Sequence, residues 1–430
     1  MRRVIAWVGL AFAAVTIATW SVPETVDARV TRHTARSAHH RVHHRRHRHH
    51  RRLHLLPVSA NAPSAEIVFD AESGRVMAIA NADQRVYPAS LTKMMTLYLT
   101  FRALQEGWLH LNDTMQVSAY ASSASPTKLG LYPGQLVTVD DLIRGCVTES
   151  ANDAARTLAE NLDARFGRNL QQLLRADIAA QQAEDAADAI SDPPSAQDAA
   201  DRAGEINEMH AIASSVMADG SEYDFARLMT LQARVLGMQD TVYRNASGLP
   251  DMEQVTTAPD YAMLAYALVH MPTQYYSYFS VQHFDFNGVD HRNHNLSFLT
   301  SYDGADGIKT GYTQSGGFNV VDTARRGNRR LIAIVMGRQS RATREEDVRT
   351  LLDYGFNQTG MVTAVSSVLV EDDTVRVGST LDFPTLQTTG VRRIAPQLPD
   401  MLRPEAPAAT PTSTQRPAQR GTAPINTLRR

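Results

Sequence analysis

Hydrophobic and polar positions divide this chain into a patterned middle and two unpatterned ends. Two short apolar runs of β type, Glu66–Asp70 and Arg75–Asn81, flank Ala71-Glu72-Ser73-Gly74 and predict a hairpin. After Ser90, the residues Leu91, Met94, Met95, Tyr98, Phe101 and Leu104 recur at helical period, and Gly107 ends the run. Thr138 with Asp141 forms a capping-box pattern for a short helix to about Val147. Helical periodicity returns over Phe225–Met238. Thr257, Pro259 and Asp260 then open a helix through Met271. From Gln282 to Arg338 the pattern is β-like, and Phe318–Ala324 and Leu331–Gly337 flank a hairpin turn at Arg325-Arg326-Gly327-Asn328. A last helix is predicted over about Thr343–Tyr354. Strands at both ends of this region with helices between them predict an α+β fold whose chain ends meet in one antiparallel sheet. Neither the strand–helix alternation of a Rossmann sheet nor a G-x-x-x-x-G-K-[ST] loop is present.

The ends read differently. Arg2 and Arg3 precede an uncharged apolar run from Val4 to Trp20, and small residues close the segment at Val26-Asp27-Ala28. This predicts an export signal at 1–28, cleaved near Ala28; the competing reading is an uncleaved anchor in the inner membrane. Residues 29–54 hold nine Arg, nine His and no acid, so 29–60 is expected to be a disordered arm. It is either a solvated spacer or a weak contact to an anionic surface. The body spans 61–358. Within it, residues 176–209 hold eleven Ala and nine acids against one Arg. That predicts an inserted excursion over about 170–220, helical or loosely ordered and outside the core. Residues 359–394 form a short extension, and the Pro-rich 395–430 a disordered tail.

Composition sharpens this picture in two ways. The formal net charge of −2 over 430 residues supplies no global basic field, which argues against nucleic acid as a partner. A lone cysteine, Cys146, excludes an internal disulfide framework and a cysteine zinc site. It falls in an apolar stretch and is expected to be an inert buried thiol. His291 and His294 are expected to be ordinary hydrogen-bonded histidines and not a zinc pair.

Only three of the 43 basic residues are lysines: Lys93, Lys128 and Lys309. Arg remains charged in proteins, so a lysine kept in an Arg-rich chain points to chemistry Arg cannot do. Ser90-Leu91-Thr92-Lys93 places a hydroxyl and an amine three residues apart on one predicted helix face. A serine becomes nucleophilic when a neighbouring base takes its proton, and a lysine serves once burial or a second cation makes it neutral. The string Ser125-Pro126-Thr127-Lys128 is a second S-x-x-K, but its Ser/Pro/Gly-rich surroundings disfavour a helical pair. Ser150-Ala151-Asn152 offers a proton relay and an amide. Lys309-Thr310-Gly311 offers a cation, a hydroxyl and a glycine that permits close backbone approach. The backbone N–H groups of Ser90 and Tyr312 are the expected oxyanion donors.

In this order, S-x-x-K, S-x-N and K-T-G resemble the signature of active-site serine penicillin-binding proteins and serine β-lactamases. The strings "YPASLTKMMTLYL", "SANDAARTLAE", "LGMQDTVYRNASGLPD", "DGIKTGYT" and "SGGFNVV" narrow the resemblance to the low-molecular-mass D-alanyl-D-alanine carboxypeptidases, peptidase family S11. It covers about Ala65 to Phe356. It implies a serine β-lactamase/D,D-peptidase fold, a sheet with covering helices beside a mostly helical subdomain. It implies Ser90 as the acylated nucleophile, Lys93 as general base, and Ser150 and Asn152 in proton relay and substrate positioning. Lys309, Thr310, Gly311 and Tyr312 would meet the substrate, and Arg344 would help bind its carboxylate. The implied substrates are peptidoglycan stem peptides, with β-lactams as acylating inhibitors, no cofactor and a periplasmic location.

The sequence departs from the family where many relatives carry an Arg-Asn pair; here His294-Asn295 stands. A β-lactamase needs an E-x-x-L-N acid after S-x-N, and Glu160-Asn161-Leu162 lacks that spacing. A D,D-endopeptidase would use the same residues. A third reading is an envelope-binding protein whose arm is the working part and whose catalytic domain is vestigial; the intact motifs argue against it.

Overall fold

The computed structural model describes residues 64–191 and 193–357. The expected signal, arm, extension and tail lie outside them. Strand β1 (Ala65–Asp70) turns back into β2 (Val76–Ala80) through an Asp70 carboxylate that accepts from the Glu72 and Ser73 amides at 3.1 and 3.0 Å. Gly74 supplies the positive φ, 69°, that closes the turn. A 3₁₀ turn over Ala89–Thr92 leads into α1 (Lys93–Gln105). Next come β3 (Thr114–Gln116), α2 (Ala119–Ser122), β4 (Leu136–Thr138) and α3 (Val139–Val147). The Thr138 hydroxyl caps α3 by accepting from the Asp141 amide, as the capping box predicts.

The central block continues with α4 (Asn152–Ser191), α5 (Ala196–Ser215), α6 (Glu222–Val235), α7 (Ala258–Val269) and α8 (Thr273–Tyr276). A small hairpin, β5 (His283–Phe286) with β6 (Val289–Arg292), precedes α9 (Leu296–Ser301). The last strands are β7 (Ala305–Thr313), β8 (Gly317–Arg326) and β9 (Arg329–Arg338), followed by α10 (Arg341–Asn357). The β-like reading of 282–338 therefore needs one correction, since α9 interrupts it.

The five long strands form one antiparallel sheet in the order β2-β1-β9-β8-β7. The expected meeting of the two chain ends is the β1–β9 ladder, which runs from Ala65↔Met336 to Asp70↔Leu331. Strand β9 is buried on both faces. Ile332, Ile334 and Met336 pack toward the central helices, while Leu331, Ala333 and Val335 pack toward Val348, Leu351 and Leu352 of α10. This explains why its sequence reads as a continuous apolar run instead of an alternating one. Helix α1 is likewise buried almost all round. Thr96 and Thr100, on the side away from its apolar stripe, turn their hydroxyls to the Ala246 and Thr96 carbonyls at 2.7 and 2.8 Å.

The acidic insertion is helical, not loosely ordered. Helix α4 runs on for 40 residues, and α5 returns antiparallel after Pro193-Pro194. Its base belongs to the core, against expectation. Leu170, Leu174, Ile178, Met209 and Ala213 are buried there, and Asp177 pairs with Arg102 of α1 at 2.6 Å. No helix among the described residues is long and apolar enough to cross a membrane.

Candidate active site

Strand β7 ends the sheet, and the turn carrying Ser90 packs directly against it. A Cβ on Gly311 would stand 3.0 Å from the Ser90 amide nitrogen and 3.1 Å from that of Leu91. A Cβ there would force the serine turn to give by a few tenths of an ångström. On the other side, a Cβ on Gly248 would fall 1.9 Å from the Ala89 carbonyl oxygen, and Gly248 has φ 84°. Ala89 itself sits at φ 50°, just before Ser90. Two glycines thus clamp the serine turn. Asn319 of β8 adds hydrogen bonds from Nδ2 to the Tyr87 and Pro88 carbonyls at 2.9 and 3.3 Å. Ser90 is not a side-chain N-cap: it lies within the 3₁₀ turn, and α1 begins at Lys93.

Lys93 is fully buried. Its Nζ donates to Ser90 Oγ at 3.2 Å, Asn152 Oδ1 at 2.7 Å and the Ser247 carbonyl at 2.6 Å. Three acceptors fix the amine on the hydroxyl. Burial pushes its pKa down to about 8, against the opposing pull of Glu222 and Asp153. Asn152 opens α4, and its Nδ2 donates to the Ser125 carbonyl at 3.2 Å. The rival S-x-x-K string therefore borders the site through its backbone, while Lys128 turns away to the Ser122 carbonyl at 3.4 Å. The Asp153 carboxylate holds this segment by accepting from the Leu129, Gly130 and Leu131 amides at 3.0, 3.1 and 3.0 Å. Ser150 is buried at φ 59°, and its Oγ has no hydrogen-bond partner among the described residues.

Lys309 is also buried, and its Nζ donates to the Thr310 carbonyl at 3.1 Å. Loss of hydration, then the charge of Lys93, pushes its pKa down to about 7. Thr310 is buried beside it, whereas Tyr312 is exposed and lies against the ring of Phe318. Arg344 of α10 is buried; its Nη2 donates to Glu345 at 3.2 Å, and its Nε lacks a partner among the described residues. Its charge lowers the proton affinity of both Lys309 and His294. His294 itself, exposed as a residue, is lowered to about 4, first by partial desolvation and then by these cations. Asn295 beside it is structural, with Nδ2 on buried Asp322 at 2.6 Å. His291 bonds through Nδ1 to Glu149 at 3.2 Å. Cys146 is buried within electrostatic reach of both lysines, and burial raises its thiol to about 12, so it stays protonated at neutral pH.

The S-x-x-K, S-x-N and K-T-G strings, over 200 residues apart at their extremes, thus converge on one cleft edge. The profile of the D-alanyl-D-alanine carboxypeptidases, peptidase family S11, matches residues 55–164 and 207–340. The chain belongs to this family. The interval between the two matched stretches, 165–206, falls on the helical excursion of α4 and α5. The D-alanyl-D-alanine carboxypeptidase DacC of Escherichia coli K12 is 29% identical over 317 residues, 71% of this chain and 65% of that protein. DacA of the same organism is 30% identical over 296 residues, 67% of this chain and 60% of its own length. The chain therefore spans less than two thirds of these relatives. Among solved structures, penicillin binding protein 6B from Escherichia coli matches at 28% identity and TM-score 0.53, over 70% of this chain and 79% of that one. Penicillin binding protein 5 from Haemophilus influenzae matches at 28% and 0.53, over 68% and 70%. These likenesses fit the α+β sheet-and-helix architecture described above.

Three contributors to the site escape a reading of side-chain motifs. The Ser247 carbonyl is a main-chain group. Gly248 matters for the Cβ it lacks. Asn319 works from behind the turn. Asn245-Ala246-Ser247-Gly248 did carry one signal: Asn245 Oδ1 accepts from the Ser247 and Gly248 amides at 3.2 and 2.7 Å, an Asx turn legible in sequence.

Proposed function

We propose that this chain is a serine D,D-carboxypeptidase that removes the terminal D-Ala from peptidoglycan stem peptides. The supporting observation is the contact of buried Lys93 Nζ with Ser90 Oγ at 3.2 Å, in a chain that keeps only three lysines. Ser90 Oγ attacks the carbonyl carbon of the penultimate residue, and its proton passes to neutral Lys93. The Ser90 and Tyr312 amides receive the oxyanion. The peptide C–N bond breaks as the leaving D-Ala nitrogen takes, through Ser150, the proton that Lys93 received; the Ser150 Oγ has no hydrogen-bond partner among the described residues, which suits that relay. Water, deprotonated in turn by Lys93, then cleaves the Ser90 ester and restores the hydroxyl. Asn152 positions the substrate amide. Lys309, Thr310 and Arg344 face the terminal carboxylate, and Gly311 lets the substrate backbone lie along edge strand β7.

A β-lactam acylates Ser90 by the same first step. The wall substrate lies outside the cytoplasmic membrane, which supports reading 1–28 as an export signal and the location as periplasmic. Residues 29–54 serve as a solvated spacer with at most a weak contact to an anionic surface. The test is intact-mass spectrometry after penicillin treatment. We expect one adduct, placed on Ser90 by peptide mapping, and none in Ser90→Ala. Equal labelling of that variant rejects the assignment.

A further inference from the structure

We propose that α4 and the loop joining α5 to α6 form a site for a divalent cation, with Ca²⁺ the ion that fits. The ligands are Asp163 of α4, Asp219 of the loop and Asp224 of α6. One carboxylate oxygen from each lies within 4.8 Å of the others. Such hard oxygen donors suit Ca²⁺, whose irregular coordination a loop and two helices can supply more readily than the strict octahedron of Mg²⁺.

Close carboxylates are common on acidic surfaces, but this group differs. Asp163 is fully buried, and its Oδ1 has no hydrogen-bond partner among the described residues. Its Oδ2 accepts from the Gly220 amide at 2.7 Å. The Ser221 amide donates to Asp219 Oδ1 at 3.0 Å. Asp224 Oδ2 accepts from the Met217 amide at 2.7 Å and from the Ala218 amide. The loop amides thus fix the carboxylates without neutralising them. Among the described residues Arg227 pairs with this group, with Nη1 at 3.7 Å from Asp224 Oδ1. A buried oxygen with no donor beside two further carboxylates is costly unless a cation or a proton completes it.

The backbone is shaped for this approach. Gly167 lies inside α4, where glycine weakens a helix. A Cβ there would stand 2.8 Å from Asp163 Oδ1 and 2.8 Å from the Ala218 Cβ. Gly220, at φ 80°, seats the loop on Ala164 of the same helix. Glycine at these two places brings the loop and the buried oxygen together. The site also secures the start of α6. There Glu222 accepts from the Ala246 amide at 3.0 Å, next to the Ser247 carbonyl that holds Lys93.

The test is calorimetry of the EDTA-treated enzyme in CaCl₂, in MgCl₂ and in KCl of matched ionic strength. CaCl₂ is expected to raise Tm by about 3 °C at roughly tenfold excess over the dissociation constant. MgCl₂ gives a smaller rise and KCl none. In Asp219→Asn, at an exposed position, the CaCl₂ rise disappears, while Tm in EDTA is no lower than that of the unaltered enzyme. No rise up to about 10 mM CaCl₂, tenfold above the weakest extracellular sites, overturns the proposal. So does an equal rise in Asp219→Asn, or an equal effect of MgCl₂, which would be general screening of an acidic surface.

Discussion

The charge of Lys93 depresses the proton affinity of Lys309. Burial acts first on both, leaving Lys93 at about 8 and Lys309 at about 7. Two buried ammonium groups in one cleft titrate as a pair. The mechanism wants one proton between them, held on Lys309. A substrate carboxylate beside Lys309 favours that arrangement, because it attracts the proton there, and the retained cation then disfavours a second proton on Lys93. The pH profile of kcat/KM should therefore be a bell. It rises as the first proton leaves the pair and falls as the second leaves, with both limbs near about 7 to about 8. Lys309→Arg keeps its cation at every accessible pH, so the alkaline limb should vanish while the acid limb stays. An alkaline limb unchanged in this variant would show that it belongs to another group.

The same burial sets a stability cost. Each lysine has a folded-state pKa below its unfolded value of 10.5. The unfolded chain then binds more protons than the folded one, and these groups make stability rise with pH from about 7 toward 10.5. Below that window the penalty is full. Lys309→Met removes a buried charge whose one hydrogen bond among the described residues is to the Thr310 carbonyl. This variant should lose activity and gain Tm, by roughly 2–4 °C per kcal/mol recovered. The gain should be largest at acid pH and fade as pH rises through the window. Thermal melts across pH check this, and a variant less stable at every pH would refute it.

Gly311 separates access from fold. A Cβ there meets the Ser90 and Leu91 amides and the Pro88 carbonyl at 3.0–3.1 Å, all backbone atoms that cannot swing aside. Its own φ does not require glycine, so Gly311→Ala should fold. The serine turn must shift by a few tenths of an ångström. That displaces both the proposed nucleophile and a proposed oxyanion donor, and loss of such a donor costs about 10²–10³ in rate. The second-order rate of penicillin acylation should fall by about that factor with Tm little changed. A loss of Tm without a loss of acylation rate contradicts the geometry.

Much of this cleft was legible in sequence because lysine is scarce here. Rarity marked Lys93 and Lys309, and turn chemistry marked the hairpins around them. The missing parts have physical causes. Strands β3 and β4 are three residues each, too short to show a period. Helix α9, six residues with three hydroxyl side chains, reads as β-like by composition. The change to Ala and acidic residues near 176 looks like a boundary, yet Ala, Gln and Glu are strong helix formers, and α4 continues through it. Main-chain acceptors such as Ser247 leave no side-chain mark.

Arg102 tests whether the insertion is part of the folded body. It lies on α1, about two and a half turns beyond Lys93, with Nη1 at 2.6 Å from Asp177 Oδ2 and 3.1 Å from Gln232 Oε1. Both members of the ion pair are largely buried, so removing one leaves an unpaired charge in a dry site. Arg102→Ala should cost about 3 kcal/mol or more. Hydrogen exchange gives the sharper reading. If the base of α4 and α5 is held through this pair, protection should fall first around Leu174, Ile178, Met209 and Ala213, while the β1–β9 ladder keeps its own. Arg102→Met, which restores packing without charge, should recover part of the stability. A uniform fall in protection across sheet and insertion would mean that the pair supports the whole domain. No fall around α4 and α5 would mean that the insertion stands without it.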